Sequence, residues 1–245
     1  MEWGPWKQDP VGTTEGRRNV GEERAKSSRA SRPAWYLCHM AAAASVHAPA
    51  GAPPAPPSDL GEQRMLLYVS WKEYVVMRDL LDGPALRMTY LEGKLELMSP
   101  STDHEMWKKN IARLVELYAH VRGVDLRGYG SATFKREMKD RGAEPDECYL
   151  IGHKLIDYPQ IALEVIHLSP LLDKLEVYSG MGIAEVWVFY KGAFQIHLLG
   201  ASGTYEPAPR SALLPDLDFS LVARYAVRED TPQALREFEQ DLRTA

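Results

Sequence analysis

The chain has 245 residues, 45% of them hydrophobic and 26% charged, with a net charge of −5, enough for one domain of ordinary size and a tail. Its two cysteines, Cys38 and Cys148, supply neither a disulfide framework nor a CxxC metal spacing, and no run approaches the roughly 18 apolar residues of a membrane span. A cytoplasmic protein with no membrane partner is expected. From Met65 onward 21 Lys and Arg face 27 Asp and Glu, so the bulk basic footprint of a tight non-specific nucleic-acid binder is missing.

Residues 1–64 are rich in Gly, Pro, Ala, Ser and Arg and include APAGAPPAPP, a composition that favours extended, unpaired backbone. They are expected to be a disordered, low-complexity tail, with partner binding as the alternative, and 65–245 the folded domain. Met40 and Met65 are both candidate starts.

Ser70 with Glu73 forms a capping box for a first helix carrying Tyr74, Met77, Leu80 and Leu81. The alternating runs RMTYL and KLELM, joined by Glu92-Gly93, predict a β-hairpin. From Thr102 or Asp103 to about Val121 a helix is expected, because Trp107, Ile111, Leu114, Val115 and Tyr118 fall on one stripe, with Gly123 closing it. Short strands follow in VDLRGYG, SATFKREM and DECYLI, then QIALEVIH, whose apolar faces predict a central strand. A helix over 170–181, strands EVWVFY and FQIHLL, an edge hairpin near Tyr205 and two amphipathic C-terminal helices complete the reading. The expected fold is α/β (α+β): a mixed sheet flanked by helices, with an N-terminal helix and hairpin.

Glu164 sits inside the apolar run IALEVI. A buried carboxylate must be protonated, ion-paired or bound to a metal, and a salt bridge to Lys or Arg is as good a reading as a metal. Asp146, just after Pro145, begins a neighbouring strand, so the two carboxylates can meet and hold a hard cation such as Mg²⁺. Taken alone, Asp146 reads as a turn residue. Lys174 on the following helix could stabilise charge developing on a phosphoryl group; otherwise it is an exposed helix lysine. Glu105 is either a further acidic ligand or a first-turn glutamate favoured by the helix dipole. His104 reads as a packed histidine. GxGxxG, GxxxxGK[ST], HExxH and GxSxG are all absent, and His153, His167 and His197 lack zinc spacing.

The ordered strings LEGKLELMSP, DHE, PDE, IALEVI and DKLEVYSGMGIAEVWVF resemble the Uma-type restriction-endonuclease family of the PD-(D/E)xK nuclease superfamily, over about residues 68–199. The resemblance implies a restriction-endonuclease-like fold and metal-dependent hydrolysis of DNA phosphodiesters with Mg²⁺ or Mn²⁺. It matches Asp146 and Glu164 to the motif acids and the carbonyl of Val165 to a backbone ligand. Glu105 corresponds to an acidic position on the first core helix. The lysine expected two residues after Glu164 is replaced by Ile166, and Lys174 resembles a relocated equivalent, one helical turn from Tyr178. Alternatives are a catalytically degenerate binding module and an RNA-directed nuclease. A homodimer is expected from the two-fold geometry of duplex substrates.

Overall fold

Two sheets, not one, carry the strands. The computed structural model describes residues 61–81, 86–152, 157–170 and 172–244; the expected tail falls, up to residue 60, outside them. The first sheet has the order β1 (Gln63–Tyr68), β3 (Lys94–Ser99), β2 (Arg87–Leu91), β6 (Arg141–Ala143) and β5 (Phe134–Arg136), all antiparallel. The second runs β11 (Tyr205–Ala208), β10 (Ala193–Leu199), β9 (Glu185–Tyr190), β8 (Ile161–Ile166), β7 (Glu147–Ile151) and β4 (Leu126–Gly128). Among the described residues only the β8–β9 pair is parallel, as a strand–helix–strand connection requires. The α/β fold with its N-terminal helix and hairpin is thus as expected.

Strand β1 is a correction to the reading from composition. It begins two residues ahead of Met65 and pairs with β3 along its whole length, so Glu62 and Arg64 belong to the folded domain. Helix α1 (Trp71–Leu80) has the expected capping box, Ser70 with Glu73. Its Tyr74 is buried between Tyr90 and the backbone of Gly142, where any Cβ would lie 2.3 Å from the Tyr74 hydroxyl. In the β2–β3 turn both Glu92 (φ 46°) and Gly93 (φ 84°) take left-handed backbone, the twist that matches a two-residue hairpin.

Helix α2 (Thr102–Arg122) is capped one residue before Thr102, the earlier of the two expected caps: Ser101 accepts from the His104 amide, and Gly123 closes the other end in left-handed conformation. Its stripe of Ile111, Leu114, Val115 and Tyr118 packs with Ile161, Leu163 and Val165 of β8, and with α4 (Phe219–Ala226) and α5 (Thr231–Thr244). Helix α3 (Lys174–Met181) begins four residues later than expected, because Asp173 caps it by accepting from the Leu175 and Glu176 amides. Its Val177, Tyr178 and Met181 pack among Leu91, Phe134 and Ala143 of the first sheet and Cys148, Ala162 and Val186 of the second. α3 is therefore the layer between the sheets. The alternation along β8 does the rest: Leu163 and Val165 face α2, while Ala162 shares its face with Glu164, toward α3.

Candidate active site

Asp146 lies at the mouth of β7, where the β7–β8 ladder gives out. Its amide still reaches the Leu163 carbonyl at 3.1 Å, but one residue pair further its side chain replaces the backbone, Oδ2 accepting from the Val165 amide at 2.8 Å. Asp146 and Glu164 are both buried, at 1% and 2% exposure. The burial read from the IALEVI pattern is real, and so is the ion pair that such burial demands. Lys174 Nζ donates to Glu164 Oε2 at 2.6 Å, and the Tyr178 hydroxyl donates to Oε1. These donors sit one turn apart on α3, so one helix face supplies both.

The electrostatics of the pair are unequal. Burial, and after it the charge of Asp146, pushes the Glu164 carboxyl above the usual carboxylate range despite Lys174. Burial opposes the charge on Asp146 too, but His104 and Lys174 outweigh it and hold its carboxyl low. Lys174 is raised: burial disfavours its charge, and Glu164 and Asp146 more than restore it. Lys174 thus serves both buried carboxylates and His104 serves Asp146 as well, around a pair of hard oxygen donors of the kind a divalent cation takes.

Among the described residues no group of three or more His, Cys, Asp and Glu side chains is arranged for a metal, so a cation here would find two carboxylates and take its remaining ligands from backbone, water or substrate. The Val165 backbone lies beside the pair, its amide tied to Asp146. The donor set of two carboxylates and a carbonyl fits Mg²⁺ or Mn²⁺ chemistry.

Glu105 is not drawn into this group. It pairs with Lys108 at 2.5 Å and with Arg87 at 3.6 Å, its side chain 41% exposed. His104, by contrast, is more than the packed histidine expected from its place beside the apolar stripe. It is fully buried, and its Nε2 lies 2.9 Å from Asp146 Oδ1. On the other side Nδ1 meets Glu62 Oε2 at 3.3 Å, an ion-pair contact without hydrogen-bond alignment. Burial alone would lower its pKa, yet Asp146 and Glu62 raise it to about 9. Glu62 is held in turn by Arg64 Nε at 2.7 Å and by the Leu168 amide at 3.3 Å. Arg64 also binds Glu96, whose other oxygen accepts from the Leu172 amide at 3.1 Å, just ahead of Lys174. The signal available in the sequence was the spacing DHE, with His104 on the same helix turn as Glu105; its partner Glu62 lay in a segment that composition assigned to the tail.

The profile of the Uma2 family, described as "Putative restriction endonuclease", matches residues 71–224. The chain belongs to the Uma2 family. The nuclease resemblance of the motif strings and the restriction-endonuclease-like fold class stand with that membership. No curated protein matches the chain. Among solved structures, it is similar to "a putative nuclease belonging to DUF820" from Anabaena variabilis, at 14% identity, covering 60% of this chain and 90% of that one with a TM-score of 0.38. No helix among the described residues of this Uma2 protein is long and apolar enough to cross a membrane.

Proposed function

We propose that this Uma2 protein is a divalent-metal-dependent endonuclease that hydrolyses DNA phosphodiester bonds in the cytoplasm, as a homodimer on duplex substrate. The observation that carries the reading is the convergence of Asp146, Glu164 and Lys174 from three separate elements into one buried cluster.

Asp146, Glu164 and the Val165 carbonyl would hold Mg²⁺ or Mn²⁺. When bound, the cation polarises the phosphodiester and offsets the charge that builds up on it. The side chains have their own tasks. His104 and the Val165 amide fix the plane of the Asp146 carboxylate. Lys174, a buried cation at the start of α3, orients the attacking water or meets the developing negative charge. Tyr178 holds Glu164 by the oxygen that Lys174 leaves free. Glu105 has no part in this assignment.

Incubation with supercoiled plasmid and Mg²⁺ or Mn²⁺ tests the proposal, with nicked and linear products expected. Cleavage that persists in Asp146→Ala or Glu164→Ala removes these residues from the chemistry. One observation favours a second reading, a degenerate nuclease-fold binding module: all four oxygens of the two carboxylates already have protein donors. Mn²⁺ binding by calorimetry, lost in Glu164→Ala, counts against that module. An RNA-directed nuclease is separated by offering labelled RNA in the same assay.

A further inference from the structure

Strand β1 lies at the edge of the first sheet, while the acidic pair belongs to the second. The contact between them is a chain of side chains: Arg64 to Glu62, Glu62 to His104, His104 to Asp146. Each link is buried. Glu62 has 7% exposure and His104 none. A core packing role alone does not account for this. Apolar packing asks for an apolar side chain, and burying a histidine between two carboxylates costs desolvation that only specific bonds offset.

Asp146 is restrained on both oxygens, by His104 at Oδ1 and by Val165 at Oδ2. The Val165 donor is fixed by β8, so this bond lasts only while the carboxylate keeps its place. The His104 restraint depends on the ring's own orientation. A ring that rests on Asp146 through one nitrogen can still rotate about its Cβ–Cγ bond. Glu62 at the second nitrogen opposes that rotation, and Glu62 is itself held from two directions, by Arg64 and by the Leu168 amide.

We infer that Glu62 and His104 are positioning residues for Asp146: Glu62 orients the His104 ring, and His104 sets the carboxylate plane that the metal site requires. This inference rests on the metal-site reading of Asp146, but it assigns a task to Glu62, the residue that leads into β1, outside the motif strings. Outer-shell partners of ligands commonly change metal affinity by roughly 10- to 100-fold.

The experiment uses the full chain, with Mn²⁺ calorimetry on the wild type, Glu62→Gln, Glu62→Ala, His104→Gln, His104→Ala and the double alanine variant. Amide exchange at Val165 is followed alongside in metal-free protein. Loss of His104 is expected to weaken Mn²⁺ binding about tenfold or more, and His104→Gln, which keeps an N–H near the Nε2 position, to recover most of it. Glu62→Ala is expected to weaken binding about tenfold in the wild-type background and less than twofold once His104 is gone, since it acts through the ring. Val165 exchange accelerates in both single alanine variants, because its hydrogen bond goes to the carboxylate being released.

Wild-type Mn²⁺ affinity in a folded Glu62→Ala, or independent, additive losses in the double variant, overturns the inference. If the wild type and Asp146→Ala alike bind no Mn²⁺, the metal reading fails, and Val165 exchange alone decides positioning: unchanged exchange in Glu62→Ala and His104→Ala, or in Glu62→Gln where Glu62→Ala does not fold, overturns it as well. The glutamine variants keep the test readable if an alanine variant does not fold.

Discussion

Lys174 and Glu164 stand ten positions apart in the chain and 2.6 Å apart in space, Nζ against Oε2, both buried. The pair has two separable consequences. Removing the lysine alone leaves a buried carboxylate without its counter-charge, a loss of about 3–5 kcal/mol. Lys174→Ala should therefore lower the denaturant midpoint and abolish cleavage together. Lys174→Met combined with Glu164→Gln removes both charges at similar volume, so stability should return to within about 2 kcal/mol of wild type. Cleavage should stay absent. Urea denaturation and plasmid cleavage on the same samples separate the structural from the catalytic contribution.

Tyr178 adds a hydroxyl donor to the other oxygen of Glu164. Tyr178→Phe keeps the ring in its buried position and deletes only that donor. The expected cost is about 1–3 kcal/mol for the acceptor left unsatisfied, together with a weaker hold on Glu164 that should raise the Mn²⁺ concentration needed for half-maximal cleavage. A metal requirement identical to wild type in a folded Tyr178→Phe would show that the tyrosine serves packing alone.

Glu147, next to Asp146 but on the α2 side of β7, gives a pH signature. Burial pushes its carboxyl up to about 7. A raised acid is favoured in its protonated form in the fold, so its stability contribution is present below the ordinary value of 4.5 and is lost as pH climbs toward 7. Glu147→Gln should hence raise the melting temperature at pH 8, by about 2 kcal/mol or roughly 4–8 °C, and leave it nearly unchanged at pH 4.5. Calorimetric scans at the two pH values check this, and an equal shift at both would assign the effect to packing.

Cys148 lies between the two sheets, its thiol donating to the Gly130 carbonyl at 3.3 Å and pushed up to about 12 by burial. Thiolate is the reactive form, so native protein at pH 8 should resist alkylation at Cys148 and lose that resistance in denaturant. Site-resolved mass spectrometry after iodoacetamide treatment measures both. Rapid labelling in the native state would mean that the sheets part readily.

Local signals in the sequence carried much of this architecture. The stripe from Ile111 to Tyr118 and the cap at Ser70 depend on neighbours three or four residues away, so a linear reading captures them. Glu164 was legible for a related reason: a carboxylate in an apolar run demands a partner wherever the run goes. What escaped was non-local. QRMLLY has no clean alternation and follows a Pro-rich segment, so β1 becomes visible only in its pairing with β3. The identity of the His104 partners, 42 residues away at Asp146 and across the fold at Glu62, is likewise a product of sheet docking. The α2 cap is Ser101 and not Thr102 or Asp103, and α3 starts four residues after the expected position because Asp173 caps it.

The charge cluster draws Glu62, Arg64 and Glu96 from one sheet and Asp146 and Glu164 from the other, with α3 between them. A folding intermediate with a single sheet formed therefore holds only half of the cluster. The cluster is complete only when the two sheets are docked, so any opening along the seam between them pulls its charges apart.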